Sequence, residues 1–182
     1  MALLEVFENP AEFKPAKFEN FSLVEIVDYI QKTHTYYIQK KLPEIEQSIY
    51  VLERGFPETH PLLLLLHAFY TDYTRHLTRH IEMEERELLP YITALELGGT
   101  RNTQAITISD FIEQHHDTEK DLEDVRNAIL HFVPPEDQQT PYRILLSQLQ
   151  VLEKDLAVHA LIEDDVLLPR ALALEAERDQ SQ

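Results

Sequence analysis

Apolar residues return every third or fourth position along four long stretches of this 182-residue chain. That period belongs to helices; a strand would alternate. Only three glycines occur, too few for the turns of a sheet protein this size, and the breakers fall between the stretches. The first stretch opens near Ser22, with Glu25 three residues on as a capping box, and runs to about Arg54. Pro43 is expected to bend it. Gly55-Phe56-Pro57 then breaks the chain. The second opens at Thr59 with Pro61 in its first turn, is expected to kink at Pro90, and stops at Gly98-Gly99. The third runs from near Ser109 to about His131 and is closed off by Pro134-Pro135. The fourth opens at Thr140-Pro141 and runs to about Ala176. Residues 1–20 read as an irregular arm, 21–177 as one domain and 178–182 as a frayed tail. Helices of this length with short connections predict an all-α, antiparallel up-down four-helix bundle.

Two segments of that bundle nearly coincide. HIEMEERELLP runs from His80 to Pro90 and HALIEDDVLLP from His159 to Pro169, both fitting H-x-x-x-E-x-x-x-L-L-P. Residues four apart share one helix face, so His80 and Glu84 point at one spot, and so do His159 and Glu163. On a surface such a pair is only a weak ion pair. Here the lines are apolar: His80 follows Leu62, Leu66, Phe69 and Tyr73, and His159 follows Leu145, Leu149, Leu152 and Leu156. A buried carboxylate without a counter-charge is costly, and no Lys or Arg lies within a turn on either line. A bound cation resolves that cost. Paired imidazoles and carboxylates make a mixed nitrogen and oxygen site that suits iron, with manganese or zinc as rivals. A carboxylate can also bridge two cations.

Single histidines extend the set. His34 sits on the Val27, Ile30, Ile38 line of the first helix. On the third helix His115 lies on the apolar line of Phe111, Leu122, Val125 and Ile129, whereas His116 turns towards Glu119 and Glu123. Periodicity selects His115, with His116 as its rival. Glu113 and His116 make one E-x-x-H, but a ferritin-type oxidase site needs two. His76, one turn before His80, is a candidate to support or replace a ligand, and Tyr37 and Tyr73 are candidates to line the pocket. His60 and His67 fall on other faces, and His131 stands near a helix end.

Composition closes off other classes. With no cysteine, disulfides, thiolate metal sites and thiol nucleophiles are excluded. A net charge of −17 argues against nucleic acid and anionic membrane as partners. The N-terminus lacks the pattern of a signal peptide, and the leucine run at 62–66 is too short to span a bilayer, so a cytoplasmic location is expected. No acid–base pair stands apart from the candidate ligands, which favours a metal-binding protein over a classical enzyme. Oligomeric state is not legible in the pattern.

The residues IVDYIQKTHTYYIQKKLPEIE, HIEMEERELLPYI, HHDTEKDLEDVR and HALIEDDVLLPRALA resemble the hemerythrin-like (HHE cation-binding) domain. Within it they look most like the di-iron iron–sulfur cluster repair family of the ScdA/YtfE type. The resemblance covers roughly residues 20–175 and implies two non-haem irons, oxo- or hydroxo-bridged. Their ligands would be His34, His80, Glu84, His115 or His116, His159 and Glu163, with both carboxylates bridging. It further implies recovery of damaged iron–sulfur proteins under oxidative or nitrosative stress, with O2 or NO as small ligand. Three departures stand out. The family often carries a short N-terminal domain with a cysteine motif, and with no cysteine in these residues chemistry through such a motif is not expected. Phe56, where some relatives have a histidine, would lie about 33 Å from His34 on a continuous helix. And His115-His116 stands where the family shows Glu-His. Two other readings are a reversible O2 or NO carrier or sensor, and a metal-free structural bundle.

Overall fold

The computed structural model describes residues 13–55, 61–99, 108–109, 136 and 139–180. Among them every regular element is helical. They form three rods, and each rod is interrupted once by a π turn. The first comprises α1 (Leu23–Tyr36), a π turn at Tyr37–Lys41 and α2 (Leu42–Glu53). The second comprises α3 (Pro61–Met83), a π turn at Glu84–Leu88 and α4 (Leu89–Glu96). The third comprises α5 (Gln139–Ile162), a π turn at Glu163–Leu167 and α6 (Leu168–Gln180). The predicted third helix, Ser109 to His131, lies almost wholly outside the described residues. No described helix is long and apolar enough to cross a membrane.

A π turn stands just ahead of each proline at which a bend is expected, Pro43 and Pro90, and ahead of Pro169 as well. Each ends just before a Leu-Pro pair: Leu42-Pro43, Leu89-Pro90 and Leu168-Pro169. Proline offers no N–H to the carbonyl four residues back and crowds it. The rod answers by widening one turn earlier. Leu42, Leu89 and Leu168 donate their N–H five residues back, to the carbonyls of Tyr37, Glu84 and Glu163. In the second and third rods the π turn begins on the glutamate of the repeated motif.

The chain divides into two compact units. One holds residues 1–34, 80–116 and 157–182. The capping box forms as expected: the Glu25 N–H donates to Ser22 Oγ at 3.1 Å, and the Ser22 N–H to Glu25 Oε2 at 2.8 Å. A second cap comes from afar. The N–H groups of Leu23 and Val24 donate to the two oxygens of Glu96, at 2.9 and 2.6 Å. Gln31 meets Glu85 further along, so α1 and the second rod run antiparallel. Arg170 reaches the Phe18 carbonyl while Thr33 meets His159, so the third rod is antiparallel to α1 as well. Ile30, Leu89, Ile92, Val158, Ile162, Leu167 and Ala171 fill the core between them. Phe18, in a 3-10 turn at Pro15–Phe18 within the segment read as an arm, packs into that core. α6 runs on to Gln180, past the expected end near Ala176.

The other unit holds residues 35–79 and 117–156. Leu145, Leu149, Leu152 and Leu156 are buried as their period predicts. On α3 the buried line is Leu63, Leu66, Tyr70, Tyr73 and Leu77. Phe69 is 41% exposed and leaves the line on which the sequence placed it.

Candidate metal centre

His34, Glu84, His159 and Glu163 converge in the first unit. Each offers a ligand atom, and these atoms all lie within 4.8 Å of one another. The residues are 2%, 0%, 6% and 3% exposed, deeper than charge tolerates without compensation. His80 joins them: its Nε2 stands 3.0 Å from Glu84 Oε1, one helical turn on. His34 Nε2 stands 3.2 Å from the other oxygen, Glu84 Oε2. Glu84 therefore turns each of its oxygens towards a different histidine. The contacts are close enough for charge to act across them, yet too far off line to share a proton, and neither oxygen accepts a hydrogen bond. Glu163 Oε1, 3.3 Å from His159 Nε2, is likewise buried without one.

The tautomers follow from the outer partners. Thr33 Oγ1 donates its only proton to the Ile30 carbonyl at 2.7 Å. Its 2.9 Å contact with His159 Nδ1 must then be one in which Nδ1–H donates. Glu85 Oε1 lies 2.8 Å from His34 Nδ1, and a carboxylate only accepts. Both rings thus hold a proton on Nδ1 and turn Nε2 inward, where the two Nε2 atoms are 3.0 Å apart. Two lone pairs cannot face each other at that distance beside two carboxylates. A positive charge must sit between them, either protons or a metal ion, and this donor set fits a metal ion.

Protons fill that role in the metal-free protein. Burial alone would lower the His34 pKa, but the contact with and charge of Glu84, with Glu85 and Glu163 behind it, outweigh burial and raise it. His80 is raised in the same way, against burial, chiefly by Glu84. Burial pushes the Glu84 carboxyl up, and His34 and His80 more than reverse that, holding it well below the usual carboxylate range.

Other predicted residues fall elsewhere. His76 is exposed, because the buried line of α3 runs through Tyr73 and Leu77. Tyr37 and Tyr73 are buried but belong to the other unit. His67, in that same unit, pairs with Glu53 at 2.9 Å. His115 and His116, like Phe56, His60 and His131, lie outside the described residues. Sequence reasoning missed Thr33 and Glu85. The only local signal for either was its position beside a candidate ligand.

The Hemerythrin HHE cation binding domain model matches residues 39–171; His34 falls just before the matched span. The chain is 22% identical over 142 residues to "Iron-sulfur cluster repair protein ScdA" of Staphylococcus haemolyticus, covering 78% of this chain and 64% of that protein. It is 30% identical over 154 residues to "Iron-sulfur cluster repair protein YtfE" of Pectobacterium carotovorum, covering 82% and 66%. With the protein of that name from Citrobacter koseri it shares 26% over 171 residues, covering 94% and 74%. The chain thus spans about two thirds of the length of the first of these relatives. A domain match over most of the chain, with buried histidines and glutamates where the motif puts them, gives one conclusion: the chain belongs to the hemerythrin HHE cation binding domain family.

Proposed function

We propose that residues 21–177 form an up-down four-helix bundle with a non-haem di-iron centre, and that the protein serves iron–sulfur cluster repair. The ligands are His34, His80, Glu84, His159, Glu163 and one of His115 and His116. The observation that carries this reading is Glu84. A fully buried carboxylate whose oxygens face two different histidines, at 3.0 and 3.2 Å, without a hydrogen bond, is disposed to bridge two cations. The repeat supplies the rest. Glu163 and His159 stand as Glu84 and His80 do, so His115 or His116 would face Glu163 as His34 faces Glu84. Iron suits this imidazole and carboxylate set better than manganese or zinc, and when bound it would offer positions open to a small ligand such as O2 or NO.

The residues of the chain do the holding. Glu85 and Thr33 fix two rings, and the apolar core of the first unit excludes water. Repair as the purpose, with damaged iron–sulfur proteins as partners, draws on the names of the relatives. The test is elemental analysis of the purified protein, followed by incubation with an apo iron–sulfur protein. About two irons per chain, lost in a His80→Ala, His159→Ala double variant and transferable to the apo-protein, support the reading. Iron retained without transfer, with a reversible O2 or NO spectrum, would support a gas carrier. No metal after anaerobic loading with ferrous iron would sink the metal centre.

A further inference from the structure

The two inward histidines are held from behind by partners of unequal charge. Behind His34 stands Glu85, 2.8 Å from Nδ1. Its second oxygen accepts from Gln31 Nε2 at 2.8 Å, and Gln31 lies three residues before His34 on α1. Glu85 is thus clamped at both oxygens to the helix that carries the ligand. Behind His159 stands the hydroxyl of Thr33, neutral and committed to the Ile30 carbonyl. The segment Gln31 to His34 therefore supplies one ligand, orients a second and anchors the carboxylate behind the first. In the second copy of the repeat Glu163-Asp164 stands where the first has Glu84-Glu85.

Resting on the metal-centre reading above, we propose that Glu85 is a positioning residue that makes His34 a stronger metal donor than His159. A carboxylate on Nδ1–H draws the ring proton towards itself and leaves Nε2 more basic, whereas a hydroxyl does so only weakly. Glu85 also fixes the ring plane, so Nε2 cannot turn away from Glu84. The reading of Glu85 as a surface partner fails on geometry: its side chain is 31% exposed, yet the nitrogen it meets belongs to a residue only 2% exposed.

The test compares wild type, Glu85→Gln, Glu85→Ala and Thr33→Val. Readouts are Co2+ affinity by chelator competition, the Co2+ ligand-field spectrum and the melting temperature of the metal-free protein. Glu85→Ala is expected to weaken Co2+ binding about 10- to 100-fold, with a changed spectrum and little change in metal-free melting. Glu85→Gln keeps an acceptor but not the charge, so it should fall between wild type and Glu85→Ala. Thr33→Val should cost less than Glu85→Ala. Glu85→Ala binding within about threefold of wild type overturns the proposal, as does a Thr33→Val defect equal to that of Glu85→Ala. So does an affinity loss that merely tracks a lowered metal-free melting temperature. If wild type itself binds no Co2+, the metal-centre reading falls instead.

Discussion

Replacing Glu163 by methionine is expected to stabilise the metal-free protein while abolishing its stabilisation by metal. Glu163 is 3% exposed and its Oε1 accepts no hydrogen bond, so that oxygen bears its desolvation against the His159 contact at 3.3 Å. Removing one member of a buried ion pair usually strands its partner at a cost of about 3–5 kcal/mol. Here the partner is an imidazole, a side chain that unlike lysine or arginine has a neutral form. The outcome should therefore resemble replacement of a whole buried charge set by an apolar group of similar volume, a gain of about 1–3 kcal/mol. For a chain of this length that is a rise of roughly 2–12 °C in melting temperature. Wild type, by contrast, should gain about 2.7 kcal/mol from metal at a hundredfold excess over its dissociation constant. The variant should gain almost none. Scanning calorimetry with and without Co2+ at pH 8 reads both numbers. A variant that melts below wild type when metal-free and still responds to metal would show that Glu163 is a structural core residue.

Two further outcomes are expected. His34 and His80 have raised pKa values in the metal-free protein; their protonated forms contribute stability that is fully present below the unfolded value near 6.5 and is lost as pH rises through the folded value. Metal needs the same nitrogens bare, so affinity should climb with pH through that window, by up to about tenfold per pH unit for each proton displaced. Calorimetric titrations in buffers of different ionisation enthalpy would count those protons, and a Co2+ affinity unchanged between pH 6 and 8 would refute the competition. Glu96→Ala removes both acceptors at the start of α1 and should cost about 1–2 kcal/mol, as other lost caps do. Urea denaturation measures that cost, and an unchanged midpoint would mean that Ser22 and Glu25 cap α1 unaided.

What the sequence by itself determined is what one helix can determine. The 3.6-residue period marked all three described rods, and Ser22 with Glu25 marked the start of α1, because capping is a contact within four residues. The His-Glu pairs at 80–84 and 159–163 were legible for the same reason: spacing by four puts both side chains on one face whatever surrounds them. The phase of α3 was not. A run of five leucines at 62–66 fits several adjacent lines equally well, and only packing chose the line through Leu63, Leu66, Tyr70, Tyr73 and Leu77, leaving Phe69 and His76 in solvent. The prolines announced a disturbance, but not that it would take the form of a π turn just ahead of each Leu-Pro pair. Glu85 on His34, Thr33 on His159 and Glu96 on Leu23 join residues 51, 126 and 73 positions apart. No local pattern encodes such contacts. They exist because three rods bring their faces together, and that meeting settles which imidazole nitrogen turns inward.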